Sequence, residues 1–163
     1  MNVSKLIDKC RQIDANEEQQ HLKRIRSNGY TIVEEALSNQ LVNQLLLMVR
    51  QQFNHQKKDT LSQVPAEWEA DWILNLQNKD KEFIDLLDLP IARALMMRLL
   101  NDPHFRPFPA TDPNYILGQF VARSSLEELE LHIDAGMPQP GHDTTMVQMS
   151  FVLEDTNSEN GCT

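Results

Sequence analysis

A histidine and an aspartate two residues apart are the pair in this sequence best suited to bind a metal ion. They are His132 and Asp134, in the segment 131–135. In an extended chain, residues i and i+2 project from the same face, so the imidazole and the carboxylate would reach one ion. One neutral nitrogen and one anionic oxygen suit a divalent first-row metal, and a second histidine would complete the facial triad of non-haem iron(II) oxygenases.

The pair by itself has low specificity. The chain has five histidines and twelve aspartates, so a His-x-Asp spacing arises readily by chance. The plain alternative is a solvated histidine and aspartate on a strand surface. His142 is available as a substitute third ligand, but the Pro-rich loop 138–141 before it favours an ordinary exposed side chain.

In two segments that flank the pair, the character of the side chains alternates with period two, as it does in strands. The first runs from residue 114 to 123 and places Gln119 and Arg123 on one face, with Phe120 and Ala122 on the other. The second runs from 145 to 154. One of its faces carries Val147, Met149, Phe151 and Leu153, and the other carries Met146, Gln148, Ser150 and Val152. The second half of the chain is therefore predicted to be β-sheet.

The first half has helical spacing of its apolar residues instead. One or two helices are predicted in 4–26, ending at Asn28-Gly29, and another over 39–52 with Ser38 as its N-cap. Two more are predicted over 81–89 and 90–100, with Pro90 in the first turn of the second. A short strand is predicted at 30–33 and an extended segment at 72–76.

The order of these segments resembles the phytanoyl-CoA dioxygenase family of iron(II)- and 2-oxoglutarate-dependent oxygenases. In that family a strand of Leu-Gly-x-Phe-x-Ala-Arg type precedes the His-x-Asp pair, and Leu117 to Arg123 has this pattern. A strand ending in Leu-x-Asp-Thr-x-x-x-Asn-Gly follows the pair, and Leu153 to Gly161 has this pattern. Gly29-Tyr30 before a Ser-capped helix also matches in kind, so the resemblance spans about the whole chain.

The resemblance implies an α+β fold, with N-terminal helices packed on a partial double-stranded β-helix, the jelly-roll (cupin-like) barrel. It implies a single domain over 1–163 that is incomplete at its C-terminus. Residues 1–101 would be mainly helical, and 114–163 would supply the first barrel strands. The implied activity is a dioxygenase that uses Fe(II), 2-oxoglutarate and O2 to hydroxylate a small organic substrate, whose identity the sequence does not specify.

The site residues follow from the same resemblance. His132 and Asp134 would be the first two iron ligands, with no catalytic residue beyond the metal ligands. Gln119, Gln148 and Ser150 fall where relatives place contacts to the cosubstrate, and a solvated strand face is the alternative for each. In relatives the third ligand, a histidine of a Pro-Gly-Ser-His segment, and an arginine for 2-oxoglutarate follow the Asn-Gly turn. The chain stops at Thr163, so we expect a fragment without the complete site.

Charge and hydropathy exclude some classes of function. With 15 basic and 24 acidic side chains the net charge is −9, which argues against nucleic acid as a partner. The longest apolar runs, such as 45–49, are far shorter than the roughly 20 residues of a membrane helix. Charges at Lys5, Asp8 and Lys9 are unlike a secretory signal, so we expect a cytoplasmic protein that does not bind membranes. The oligomeric state is left open.

Two other functions fit the same residues. The chain is either the enzyme fragment described above or a non-catalytic, truncated or degenerate oxygenase fold that acts through protein contacts, using exposed sheet edges. A cupin-type metal protein of different chemistry is a third alternative, because likeness of fold does not fix function.

Overall fold

The computed structural model describes residues 3–56, 72–100, 117–118, 120–123, 144 and 146–157. These residues are mostly helical, with one small antiparallel sheet of two strands. The elements, in chain order, are α1 (Val3–Ile7), α2 (Ala15–Asn28), α3 (Asn39–Gln56), β1 (Trp72–Ile73), a 3-10 turn (Leu76–Asn78), α4 (Lys81–Asp85), a second 3-10 turn (Leu86–Asp88), α5 (Pro90–Leu99) and β2 (Ala122–Arg123).

Helix α2 begins and ends at residues whose chemistry favours a helix terminus. Asp14 precedes it, and its Oδ1 accepts a 2.8 Å hydrogen bond from the backbone N–H of Glu17, which would otherwise have no partner at the helix start. Gly29 ends the helix with a left-handed φ of 84°, and its N–H donates to the carbonyl of Ile25 at 2.9 Å. The predicted stop at Asn28-Gly29 is confirmed.

The other helices also follow their local signals. Ser38 caps α3, because its Oγ accepts a 3.3 Å hydrogen bond from the N–H of Leu41, and the helix runs to Gln56, beyond the predicted end at residue 52. The helix predicted over 81–89 is divided into α4 and the second 3-10 turn. Pro90 opens α5 as predicted, since its missing N–H and fixed φ suit the first helical turn.

The sheet joins residues from the two halves of the chain. Strands β1 and β2 pair antiparallel, with Trp72 opposite Arg123 and Ile73 opposite Ala122. The Arg123 guanidinium carbon lies 4.9 Å from the centroid of the Trp72 ring, a cation–π distance. The strand predicted at 30–33 is wrong, because these residues belong to no strand in the described structure.

Two groups of buried side chains hold the described elements together. The larger contains α1, α3, β1 and α4 side chains, among them the nearly inaccessible Val3, Leu41 and Phe83, and the smaller joins Leu22 of α2 to Ile91 and Leu95 of α5. Hydrogen bonds between residues distant in sequence also connect the helices of each group. Ser4 Oγ of α1 donates to Asp85 Oδ2 of α4 at 2.6 Å, and Arg98 Nε of α5 donates to Glu18 Oε1 of α2 at 2.8 Å.

In the segment 146–154, partly buried and exposed side chains alternate, as its sequence predicts. Its odd-numbered residues through Leu153 are partly buried, and its even-numbered residues are exposed. Met149, Phe151 and Leu153 pack against the larger core group, as do Phe120 and Ala122 from the neighbourhood of β2. The α+β class is confirmed at this coarse level, while the jelly-roll arrangement remains a prediction.

Among the residues that the structure describes, no helix combines the length and the apolar character needed to cross a bilayer.

Candidate functional site

The predicted metal ligands, His132 and Asp134, lie outside the described residues, as do Gln119 and His142. Within the described ranges, no group of three or more His, Cys, Asp or Glu side chains is arranged to hold a metal ion. The predicted metal site is therefore supported by the sequence alone. The structure describes segments that precede and follow it in the chain.

The element before the metal pair is fixed to the helical half through aromatic packing. Phe120 meets Phe83 edge to face, with ring centroids 6.3 Å apart and an interplanar angle of 82°. The Phe120 carbonyl also accepts a 2.9 Å hydrogen bond from the N–H of Leu76, which extends the pairing of β1 with β2. Phe83 is buried, so residues 120–123, which precede His132 and Asp134 in the sequence, are firmly packed.

Two predicted cosubstrate contacts, Gln148 and Ser150, are described by the structure. Both side chains are exposed. They share the face of the segment that points away from the core, because Met149 and Phe151 beside them pack inward. This placement leaves their polar groups available to a ligand, and it is equally the placement of a solvated strand face.

The end of the same segment is attached to α3. Arg50 and Glu154 form an ion pair with a nitrogen–oxygen distance of 2.5 Å, and both side chains are more than half exposed. Val42 of α3 and residues 152–155 line an open depression of about 380 Å³ beside this pair. Because the pair is exposed, it positions the segment without contributing much stability.

The structure reveals a polar cluster that we did not predict from the sequence, on the side of α2 that faces residues 30–34. At its centre, His21 is only 3% exposed, and its Nδ1 lies 2.8 Å from Thr31 Oγ1. Its Nε2 lies 3.6 Å from Glu17 Oε1, longer than a normal hydrogen bond. Glu17 also pairs with Arg11, whose Nη1 donates to the carbonyl of Glu34 at 3.0 Å.

This cluster borders a cleft of about 440 Å³ between α2 and the segment after it. Gln20, His21, Arg24 and Asn28 line it from the helix, and Tyr30 and Ile32, both more than 60% exposed, form its rim. The cluster holds residues 31–34 against α2. The i,i+4 spacing of Glu17 and His21 was the one signal in the sequence, but nothing local identifies Thr31 as the partner.

Comparison of the chain with models of protein families, with curated proteins and with solved structures gave no match.

Proposed function

We propose that this chain is the N-terminal part of a non-haem Fe(II)- and 2-oxoglutarate-dependent dioxygenase that hydroxylates a small organic substrate. The observation that carries the proposal is the order of three motifs. Leu117 to Arg123 resembles the strand that precedes the metal ligands in the phytanoyl-CoA dioxygenase family. His132 and Asp134 follow it, and Leu153 to Gly161 resembles the strand that comes after the ligands in that family.

The proposed donor set suits the metal. His132 offers a neutral nitrogen and Asp134 an anionic oxygen, the donor types found with a second histidine in iron(II) facial triads, which leave positions open for cosubstrate and oxygen. When bound, iron(II) with 2-oxoglutarate supplies hydroxylation of a substrate C–H bond by O2, with succinate and carbon dioxide as coproducts. The protein's residues hold and orient the reactants and exclude water.

Two features of the structure support this assignment. The segment 146–154 exposes Gln148 and Ser150 on one face and packs the other on the core, the alternation expected of a barrel strand with a ligand-facing side. Residues 120–123, which include β2, are placed similarly, because Phe120 and Ala122 pack inward and Arg123 is exposed. Both segments that flank the metal pair thus have one face on the core, as the proposed barrel requires.

Metal binding tests the proposal directly. Manganese(II), which stands in for iron(II) without its redox chemistry, is titrated into the protein of the full reading frame by calorimetry. We expect one ion per chain. We also expect the affinity to fall at least about tenfold in His132→Ala, since even outer-sphere changes at metal sites cost that much. His142→Ala is the matched control and should bind as the unmodified protein does. Equal affinity in His132→Ala would overturn the assignment.

Turnover distinguishes this enzyme from a cupin-type metal protein of other chemistry. The same protein, loaded with iron(II) and given 2-oxoglutarate under air, is screened against a panel of small organic compounds for succinate release. A dioxygenase releases succinate faster in the presence of its substrate. Metal binding without any 2-oxoglutarate turnover across the panel would favour the cupin alternative.

A second function, a non-catalytic module that acts through protein contacts, is favoured by one specific observation. Residues 146–153 have the alternating burial of a strand but no strand partner among the described residues. Absence of metal binding in the full reading frame, together with self-association or capture of a partner strand, would identify this function instead of the oxygenase.

A further inference from the structure

The dipeptide that ends α2, Asn28-Gly29, contains two groups that can react with each other. The side-chain carbonyl carbon of an asparagine can form a five-membered ring with the backbone nitrogen of the next residue, which makes asparagine a chemically labile residue. Ring closure is least hindered when that next residue is glycine, which has no side chain. Glycine suits this position because φ is 84°, in the left-handed region. The helix stop therefore creates a reactive pair.

Both reacting groups take part in hydrogen bonds in the folded chain. The N–H of Gly29, whose nitrogen is the nucleophile, donates to the carbonyl of Ile25 at 2.9 Å. The side-chain carbonyl of Asn28, which is the electrophile, accepts from Ser27 Oγ at 2.9 Å. The nitrogen must lose its proton to attack, and this proton is held by Ile25. The last turn of α2 must therefore open before the ring can form.

The contact between His21 and Thr31 restrains this opening. Thr31 lies two residues beyond Gly29, and its Oγ1 is 2.8 Å from Nδ1 of His21, a buried residue about two turns earlier in α2. The contact closes a loop of chain that includes Asn28 and Gly29. Helix ends normally open more readily than any other part of a helix, and here the chain that follows the end is anchored.

We propose that Asn28 is a site of spontaneous deamidation, and that opening of the last turn of α2, restrained by the contact of His21 with Thr31, sets its rate. A base in the solvent takes the proton of the Gly29 N–H, and the nitrogen bonds to Cγ of Asn28. The bond from Cγ to the side-chain nitrogen breaks, and ammonia leaves with a proton from water. Water then opens the ring at either carbonyl, which gives aspartate or isoaspartate. The reaction needs no metal or cosubstrate, so the proposal goes beyond the oxygenase assignment.

Both products weaken the end of α2. Isoaspartate adds one carbon to the backbone, which displaces the N–H of Gly29 from the carbonyl of Ile25. Aspartate places a negative charge at the C-terminal end of the helix, where the helix dipole is already negative. In either case the attachment of residues 30–34 to α2 loosens, and the change is irreversible. Modification of Asn28 therefore marks the age of the chain and lowers its stability.

Peptide mapping measures the reaction directly. Trypsin releases residues 27–50 as one peptide, which also contains Asn39 and Asn43. Each of these is followed by glutamine, whose side chain hinders ring closure, so they are internal controls. The protein is incubated folded in neutral buffer and unfolded in guanidinium chloride, and fragmentation mass spectrometry quantifies each site. We expect Asn28 to react at least about tenfold faster in the unfolded chain, and the two controls to react much more slowly than Asn28 in both states.

Variants identify the opening that limits the rate. Thr31→Val removes the contact with His21, and Asn28 in the folded variant should react at least about fivefold faster than in the unmodified protein. Thr31→Ser retains the hydroxyl and should react as the unmodified protein does. Phe151→Ala is the matched control for overall stability, because Phe151 packs on the larger core group and Leu22 of α2 belongs to the smaller one. It should change the rate at Asn28 by less than about twofold.

Four results would overturn the proposal. Asn28 reacts equally fast in the folded and unfolded chain, Asn39 or Asn43 reacts as fast as Asn28, Thr31→Val leaves the rate unchanged, or Phe151→Ala accelerates the reaction as much as Thr31→Val does. The last result would assign the rate to global unfolding. The first two comparisons use only the unmodified protein, so they decide the proposal even if Thr31→Val does not fold.

Discussion

The side chains of His21 and Thr31 meet across the turn that follows α2, with Nδ1 and Oγ1 2.8 Å apart. The imidazole is almost fully buried, while Thr31 belongs to a segment that forms no strand with any of the residues that the structure describes. This contact is therefore one of the main connections between α2 and residues 30–34.

Removing the threonine hydroxyl should destabilise the fold. Thr31→Val leaves a buried imidazole nitrogen without its hydrogen bond, and we expect the free energy of unfolding to fall by about 1–3 kcal/mol. Thr31→Ser retains a hydroxyl and should lose much less. Urea denaturation followed by circular dichroism measures both. Equal stability of the two variants would show that the hydrogen bond contributes nothing.

The left-handed glycine at the end of α2 gives a second prediction. Gly29 has a φ of 84°, and no atom lies within 4 Å of the position a Cβ would take. Gly29→Ala should therefore cost about 1 kcal/mol from backbone strain alone. Gly118→Ala is the control, because Gly118 has equal space and no left-handed φ, and it should change stability by less than about 0.5 kcal/mol. A similar loss at both positions in chemical denaturation would contradict this explanation.

The N-cap of α2 is a third test. Asp14→Ala removes the acceptor for the N–H of Glu17 and should lower the free energy of unfolding by about 1 kcal/mol. Asp14→Asn keeps a capping oxygen and loses only the interaction of a charge with the helix dipole, a few tenths of a kcal/mol. Thermal unfolding of the two variants separates capping from charge. If both lose the same amount, the charge is responsible and the cap is not.

The alternation in 146–154 is tested by two neighbouring residues. Phe151 packs on the core, so Phe151→Ala should lower the free energy of unfolding by about 2 kcal/mol through lost burial and the cavity left behind. Val152 points outward and is 65% exposed, so Val152→Ala should change it by less than about 0.5 kcal/mol. A larger loss at Val152 than at Phe151, measured in urea, would mean that the segment has the opposite face on the core.

Local signals made several features predictable from the sequence. Gly29, Ser38 and Pro90 mark helix ends through their own backbone and capping chemistry, and all three act as expected. The two faces of 146–154 were also predictable, because period-two alternation determines which side chains can reach the core together. The same rule predicts that His132 and Asp134 share a face, and this pair stays a prediction.

Features that depend on distant residues were not predictable. Tyr30 to Val33 has the β-branched and aromatic composition of a strand, but a strand needs a neighbour, and Thr31 binds His21 of α2 instead. The extended segment predicted over 72–76 is a strand at Trp72 and Ile73, where Arg123 and Ala122 lie opposite, and Leu76 adds one backbone hydrogen bond to Phe120. In both cases, contacts with residues distant in sequence determined where a strand formed.

The contact between Ser4 and Asp85 has a consequence for synthesis of the protein. The two residues are 81 positions apart in the chain, and α1 packs against α3 and α4. During synthesis α3 can cover part of the apolar side of α1, but Asp85, the partner of Ser4, arrives only with α4. Complete docking of α1 is therefore a late event in folding, because it closes a long loop of chain.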